Sequence, residues 1–546
     1  MEQLKLSLSL LQLNFSQSMA EKSITIPKKE NKNIEFKEKL SPETHLKNDK
    51  KQHLASQMKF RLETGDGRAV YILGVDDKGN AKGLTELEFE ESLNVLRVIA
   101  RENSAEIEKV EKFEENGKTI GRILISRKYE TKMKQHIIVA TAGHVRHGKS
   151  TLIATLMTGE ADRSHKAWLY LNVLPHEIER GLSADLHYGL YGFRAGEILH
   201  LKNPLNKKER AKIVEKADKL VSFIDAPGHE PFLRTTIRGL VGQSLDYSLL
   251  IVAADDGITN ITKEHLGILL GVNLPVIVCI TKTDRVGEKR ISEVEQQIEE
   301  LLKNVGRVPF PVRYEKDIGL VIDKLDMIVP VIRTSAVNLE GYDLLNKLLY
   351  SLPERKKELE KPFLMFIDRI YNVSGAGTVV SGTIKQGKLK AGSELLLGPD
   401  ASGNFKKVKA KSIEMHYHPL EEADAGLVVG IAIRGMKHEE VKRGMVLCDE
   451  SVKPRAVKSF EAEILVLNHP TRIATNYEPV VHCQTTAEVA RIECLDKEYL
   501  KAGDSGLVRF TFKYNPHFLE VGDRFVFREG KTKGIGTITK IVKYAG

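Results

Sequence analysis

Apolar positions fall into four stretches along the chain, each with its own spacing. The first stretch, residues 1–56, has few of them. Leu4-Lys5-Leu6-Ser7-Leu8-Ser9-Leu10 alternates apolar and polar, which reads as a short strand or a mis-assigned start. It lacks the continuous apolar core and the cleavage site of a signal peptide. Residues 20–56 are rich in Lys, Glu and Asn, as in Pro27-Lys28-Lys29-Glu30-Asn31-Lys32, and predict a mobile basic tail over 1–56. From Met58 the pattern changes. Ala69–Val75 predicts a buried strand and Asp76-Asp77-Lys78-Gly79 a turn. Thr85 and Glu88 form a capping box ahead of a helix whose Phe89, Leu93, Leu96 and Ala100 share one face. Strands near Ala105–Val110 and Ile120–Ile125 complete a small α+β domain over 57–135, in which no chemistry is legible; it reads as a packing or docking module.

The third stretch, 136–353, alternates apolar strands with helices. The strands are Ile137–Thr141, Leu220–Ile224, Ser248–Ala253, Val276–Ile280 and Ile328–Arg333, and the amphipathic helix Leu344–Leu352 closes it. That order predicts a parallel sheet covered by helices. Pro353-Glu354-Arg355-Lys356-Lys357 is a charged linker. After Pro362 the helical period disappears, and short strands such as Thr378–Ile384, Glu394–Leu397 and Gly426–Ile433 alternate with glycine turns. Two antiparallel β-barrels are predicted, over 360–453 and 456–546.

Composition adds bounds. A chain of 546 residues is too long for one core. The 83 basic against 74 acidic residues, net +9, permit a polyanionic partner such as RNA without requiring one. The four cysteines form no CxxC pair, so neither a zinc knuckle nor a redox dithiol is signalled, and Cys279 reads as a core residue. Such sparse cysteine suits a reducing, cytoplasmic setting. No apolar stretch approaches the roughly 18–20 residues of a membrane span.

Chemistry appears where strands end. Gly143-His144-Val145-Arg146-His147-Gly148-Lys149-Ser150, followed by Thr151 and a helix, fits G-x-x-x-x-G-K-[ST]. Gly143 and Gly148 let the backbone wrap a phosphate, whose charge meets N–H groups and the helix N-terminus. Lys149 then bridges the β- and γ-phosphates and Ser150 ligates Mg²⁺. Asp225-Ala226-Pro227-Gly228 ends a second strand, where a carboxylate holds the Mg²⁺ shell and the Gly228 N–H senses the γ-phosphate. Thr281-Lys282-Thr283-Asp284 ends a third. Asp284 is suited to the paired N1–H and N2–H₂ donors of guanine, which adenine lacks. Ser335-Ala336, after the last strand, is placed to close over guanine O6. Singly these are surface turns. Four in order, each at a strand end, indicate nucleotide binding and select GTP and GDP.

The set strongly resembles translational GTPases of the elongation factor Tu type. Asp225-Ala226-Pro227-Gly228-His229 matches that group's third motif, and Arg180-Gly181-Leu182-Ser183 resembles its first switch, which usually ends in Thr. Gly375-Ala376-Gly377-Thr378-Val379-Val380-Ser381-Gly382-Thr383 looks like the mark of its second domain, and Arg528-Glu529-Gly530 like the closing hairpin of its third. Thr262-Lys263-Glu264-His265-Leu266-Gly267, the Thr-Lys-x-Asp variant, the long segment 158–220 and the domain at 58–134 resemble the eukaryotic and archaeal branch known as GTP-binding protein one and two.

The resemblance implies that His229 orders the attacking water and that Val145 and Leu182 form an apolar gate for it. It also implies that Ser183 gives Mg²⁺ a second hydroxyl and that switch I covers about 158–190. A monomer acting with aminoacyl-tRNA and the ribosome is implied; a GTP-regulated scaffold for RNA-decay machinery is the alternative. An initiation-factor subunit is disfavoured by the missing zinc-ligand cysteines. Two departures stand out. Thr281 replaces Asn, predicting somewhat weaker guanine binding. Arg146 replaces Asp, placing a guanidinium that either acts in cis on the phosphates or points outward to an acidic side chain or RNA.

Overall fold

The computed structural model describes residue 27 and residues 30–545, apart from 66, 104, 116, 128–134, 173, 181–182 and 531. The chain divides into two compact units, Met1–Lys128 and Tyr129–Gly546.

The first unit is a four-stranded sheet with helices on one face. Strands β1 (Ile34–Lys37), β2 (Arg68–Leu73), β3 (Ala105–Glu115) and β4 (Lys118–Arg127) lie in the order β1-β2-β4-β3. Helices α1 (Asn48–Thr64) and α2 (Glu86–Glu102) bury Met58, Leu62, Phe89, Leu93 and Leu96 in one cluster with Tyr71 and Ile123 of the sheet. The capping box forms: Glu88 N–H donates to the Thr85 hydroxyl, and Thr85 N–H to the Glu88 carboxylate at 2.9 Å. The expected mobile tail is corrected over 34–56. There β1 pairs in parallel with β2, a helical turn spans Pro42–His45, and Phe36 and Leu40 are buried. Leu54, Met58 and Leu62 recur every fourth residue, so α1 offers an apolar stripe that the charged composition masks. Glu35, 3% exposed, is compensated by Arg61 at 2.6 Å. The expectation for 1–26 lies outside the described residues.

The second unit begins with an α/β domain. Strands β5 (Gln135–Gly143), β6 (His187–Arg194), β7 (Glu197–Leu199), β8 (Lys219–Asp225), β9 (Tyr247–Ala253), β10 (Val276–Thr281), β11 (Val308–Pro311) and β12 (Ile328–Arg333) form one sheet, ordered β11-β12-β10-β9-β5-β8-β6-β7. The six from β11 to β8 run parallel; β6 and β7 are antiparallel additions. Along β5, Ile137 and Val139 face one core and Ile138 and Ala140 the other, so both faces are covered. On one side lie α3 (Lys149–Thr158) and α8 (Tyr342–Ser351). On the other lie α5 (Leu233–Val241), α6 (Asn260–Gly271) and α7 (Glu288–Asn304). The short helix α4 (Lys207–Lys216) packs on β6. Apolar periodicity alone does not reveal β6. Its Tyr188-Gly189-Leu190-Tyr191-Gly192-Phe193 run needs glycines because a Cβ at 189 would press on Ile153 and one at 192 on Ala217.

Two antiparallel barrels follow, as expected. In the first, Leu364–Phe366 pairs with both Gly377–Gln386 and Val446–Cys448 and closes the sheet. The second is a closed barrel of six strands from Val457–Asn468 to Thr532–Tyr544, filled by Phe460, Phe510, Phe512, Phe525 and Phe527. Both barrels seat on the α/β domain. His136 Nδ1 meets the Gly426 carbonyl at 3.0 Å in the first, and Lys533 of the second pairs with Glu264. Lys385 ties barrel to barrel through Glu520 at 2.8 Å and Asp523 at 3.0 Å. All four cysteines are unpaired, and Cys279 is fully buried. No helix among the described residues is long and apolar enough to cross a membrane.

Candidate nucleotide site

The four motifs meet because β5, β8, β10 and β12 are parallel and end on the same edge, where a cavity of about 340 Å³ opens. That volume is in the range of small-molecule sites. The loop after β5 turns at Gly143, whose φ of +135° and contact with the Ile251 carbonyl exclude a side chain, and again at Gly148, φ +91°. Lys149, the first residue of α3, folds back to donate to the carbonyls of Gly143 at 3.2 Å and His144 at 2.9 Å. Burial lowers its ammonium to about 8, although the Asp225 carboxylate opposes the shift.

A cluster of oxygens lies beside it. Ser150 Oγ donates to Asp225 Oδ2 at 2.5 Å and lies 3.1 Å from Ser183 Oγ; Thr141 Oγ1 holds Asp225 Oδ1 at 2.8 Å. Thus Ser150, Ser183 and Asp225, far apart in sequence, converge on one point. Gly228 packs so closely on Lys149 and the His144 backbone that a Cβ there would strike both. Val145, Thr151, Lys282 and Ala336 line the cavity.

Its other end carries Thr281, Lys282 and Asp284, with Ser335 behind them. Ser335, fully buried, donates from Oγ to Asp284 Oδ1 at 2.6 Å and orients that carboxylate. Thr281 Oγ1 donates to the His147 carbonyl at 2.6 Å, so the hydroxyl that replaces an amide still braces the phosphate loop. Lys282, at φ +60°, pairs with Asp255 at 3.1 Å.

His229 is exposed and lies in an adjoining pocket with His144, Val145, Arg146 and His147, its ring 6.0 Å from that of Phe232. It is therefore beside Val145, while Leu182 lies outside the described residues. Arg146 is exposed at φ +61°, and no carboxylate among the described residues pairs with it. It borders both the cavity and the His229 pocket. His147 is buried, accepts the Ala253 N–H on Nδ1 at 3.2 Å and meets Asp256 through Nε2 at 2.8 Å; burial lowers its pKa, with Asp256 opposing.

Several residues here were not singled out from sequence. His265 Nδ1 accepts the Gly143 N–H at 2.9 Å, and burial pulls the ring down to about 3, so it is a neutral acceptor. Asn172 accepts from Ser183 Oγ at 3.1 Å, and Glu177 holds the N–H of Ala184 at 2.7 Å and His187 Nε2 at 2.8 Å. His265 lay within a motif quoted for family resemblance; Asn172 and Glu177 carried no pattern.

A glycine-bounded loop with Lys149, a carboxylate–hydroxyl cluster and the Asp284–Ser335 pair on one sheet edge, followed by two barrels, are the outline of a GTPase built like a translation factor. The profile of the Elongation factor Tu GTP binding domain matches residues 134–355, Elongation factor Tu domain 2 matches 377–448, and the Elongation factor Tu C-terminal domain matches 453–542. The chain belongs to the elongation factor Tu family and is a GTP-hydrolysing enzyme. It is 35% identical to GTP-binding protein 1 of Xenopus laevis over 498 residues, covering 90% of this chain and 76% of that protein. It is 33% identical to human GTP-binding protein 2 over 534 residues, covering 94% and 88%. A crystal structure of translation elongation factor SelB from Methanococcus maripaludis, in complex with the GTP analogue GppNHp, has a similar fold. The TM-score is 0.55 at 23% identity over 75% of this chain and 80% of that one.

Proposed function

We propose that this GTPase acts in the cytoplasm with the ribosome and an aminoacyl-tRNA, using GTP hydrolysis to change how its barrels present that RNA. One observation carries the reading: the nucleotide site is wired to the first barrel. Asp185, two residues after Ser183, pairs with Arg238 of α5 at 2.5 Å and lies 3.5 Å from Arg369. Arg369 also donates to the Leu186 carbonyl at 2.6 Å, and Tyr188 donates to Asp368 at 2.8 Å. Release of Ser183 therefore loosens the seat of the barrel.

The oxygen cluster fits a hard divalent cation, since Ser150, Ser183 and Asp225 offer only oxygen. Mg²⁺ held there would supply positive charge against the negative charge of the phosphates. Lys149 neutralises the same phosphates, the Gly228 N–H faces the γ-phosphate, and Asp284 with Ser335 and Ala336 reads guanine. His229 orients the attacking water once it swings past Val145, and Arg146 supplies a guanidinium in cis. Filter binding of aminoacyl-tRNA with a non-hydrolysable GTP analogue tests the reading. Retention with the analogue but not with GDP is expected. Recovery of nuclease subunits without ribosomes or tRNA, by GTP-locked protein, would overturn it in favour of an RNA-decay scaffold.

A further inference from the structure

Residues 162–172 form a strap across the nucleotide cavity, fastened at both ends. At one end the Asp162 N–H donates to the Ala336 carbonyl at 2.8 Å, in the loop that closes over the base. The Asp162 carboxylate, 6% exposed, turns back on its own chain. It accepts the N–H groups of Lys166 at 2.9 Å and Ala167 at 3.2 Å and the Ser164 hydroxyl at 3.3 Å. That ties the short 3₁₀ turn Ala167–Tyr170 to the base loop. At the other end Asn172, 2% exposed, holds the Ser183 hydroxyl of the oxygen cluster.

Trp168, the only tryptophan in the chain, sits between these anchors. Its indole Nε1–H donates to the His165 carbonyl at 3.1 Å, and its carbonyl accepts from Leu171 at 3.1 Å and Asn172 at 3.0 Å. The polar edge is thereby engaged within the strap. The half-buried side chain lines the same cavity as Lys149, Asp284 and Ala336. A nucleotide with its base at Asp284 and Ala336 and its phosphates at Lys149 and Ser150 would span the cavity that Trp168 also lines. None of Lys149, Ser150, Asp284 and Ala336 offers a flat apolar ring.

We propose that Trp168 is a nucleoside-binding residue that packs its indole against the guanosine moiety of the bound nucleotide and slows its release. The proposal rests on the assignment of the cavity to GTP and GDP. It makes the nucleotide's residence time depend on a residue outside the four phosphate- and base-reading motifs.

The test uses the full chain freed of nucleotide. GDP and a non-hydrolysable GTP analogue are titrated while calorimetry reports binding and selectively excited tryptophan emission reports contact. GDP carrying an N-methylanthraniloyl group on its ribose then accepts energy from Trp168, and its release is timed by chasing with unlabelled GDP. The wild type should show a saturable emission change at the calorimetric stoichiometry and clear energy transfer. Trp168→Ala should release GDP on the order of tenfold faster, the scale of one base–aromatic stack. Trp168→Phe, which keeps an apolar ring, should release it near the wild-type rate. Calorimetric binding with unchanged emission, no energy transfer and an unaltered rate in Trp168→Ala would overturn the proposal alone. Failure of either nucleotide to bind the wild type would sink the cavity assignment and this proposal together. A fast-releasing Trp168→Ala whose wild-type parent shows no energy transfer would assign Trp168 to folding of the strap and refute contact.

Discussion

Asp284→Asn should exchange guanine for xanthine as the preferred base. Asp284 lies in a short 3₁₀ turn after β10, and its Oδ1 already accepts the Ser335 hydroxyl at 2.6 Å. The two loops are cross-braced a second time, since Thr283 Oγ1 donates to Glu340 at 2.7 Å. The replacement is isosteric, so the brace survives with the amide oxygen turned to Ser335. That orientation aims the new NH₂ at guanine N1–H and N2–H₂, donor against donor. Two charge-assisted hydrogen bonds are lost, each worth about 1.5–3 kcal/mol. The sum, about 3–6 kcal/mol, weakens GTP and GDP binding by about a hundredfold to ten-thousandfold. Xanthine presents a carbonyl where guanine has its amino group and recovers a bond to the amide. Calorimetry of GDP and xanthosine diphosphate against both proteins measures the exchange, and a melting curve confirms that the variant is folded. GDP affinity within about threefold of wild type, with no gain for the xanthine nucleotide, would refute the assignment of the base to Asp284.

His229→Ala should leave GTP affinity intact while ribosome-stimulated turnover falls by about a hundredfold or more, because a water-orienting ring acts in the transition state; single-turnover hydrolysis with and without ribosomes measures it. Lys149 gives a pH dependence with a defined sign. Burial lowers it to about 8 in the nucleotide-free protein, and bound phosphates favour the ammonium, so binding takes up a proton above pH 8. Affinity should be level below that pH and fall above it, with proton uptake visible as calorimetric heats that depend on the buffer. If Arg146 acts in cis, intrinsic hydrolysis should be indifferent to replacing K⁺ by a large inert cation at constant ionic strength, and Arg146→Asp should introduce K⁺ dependence. A wild-type rate that rises steeply with K⁺ removes that role.

The parts legible from sequence are those in which one residue type is chemically forced. Gly143 and Gly148 occupy backbone conformations that exclude most side chains, Asp225 ends the fully buried strand β8 and Asp284 follows the fully buried strand β10, so periodicity and motif point to the same place. The first unit was legible only from Met58 onward. The Leu54, Met58 and Leu62 stripe is interrupted by Lys and Gln, and β1 is too short to show a period. Its Phe36 is buried because β2 is there to receive it, a tertiary fact that no local window contains. The replacement of Asn by Thr281 reads locally as a lost donor. In the fold its hydroxyl reaches the His147 carbonyl, which becomes evident only once β10 is set beside the phosphate loop.

The least legible feature is the connection between the Ser183 segment and the first barrel, and its physics explains why. Ser183, Asp185, Leu186 and Tyr188 lie within six residues, yet their partners are scattered over Ser150, Arg238, Asp368 and Arg369. An acid–base pair between positions 185 and 238 has no spacing to recognise. The arrangement still behaves as a unit. Asp368, 3% exposed, accepts from Tyr188 and faces Arg238 at 3.6 Å and Arg369 at 3.9 Å, so both guanidinium groups compensate its charge and the segment at 185–188 supplies the Tyr188 hydrogen bond. Withdrawing that segment would cost the buried carboxylate this hydrogen bond, about 1–3 kcal/mol unless the barrel also moves. A cation and γ-phosphate holding Ser183 would therefore act on the barrel through this chain of hydrogen bonds and ion pairs rather than through a contact of their own, and the barrel's position would be the least costly place for the change to appear.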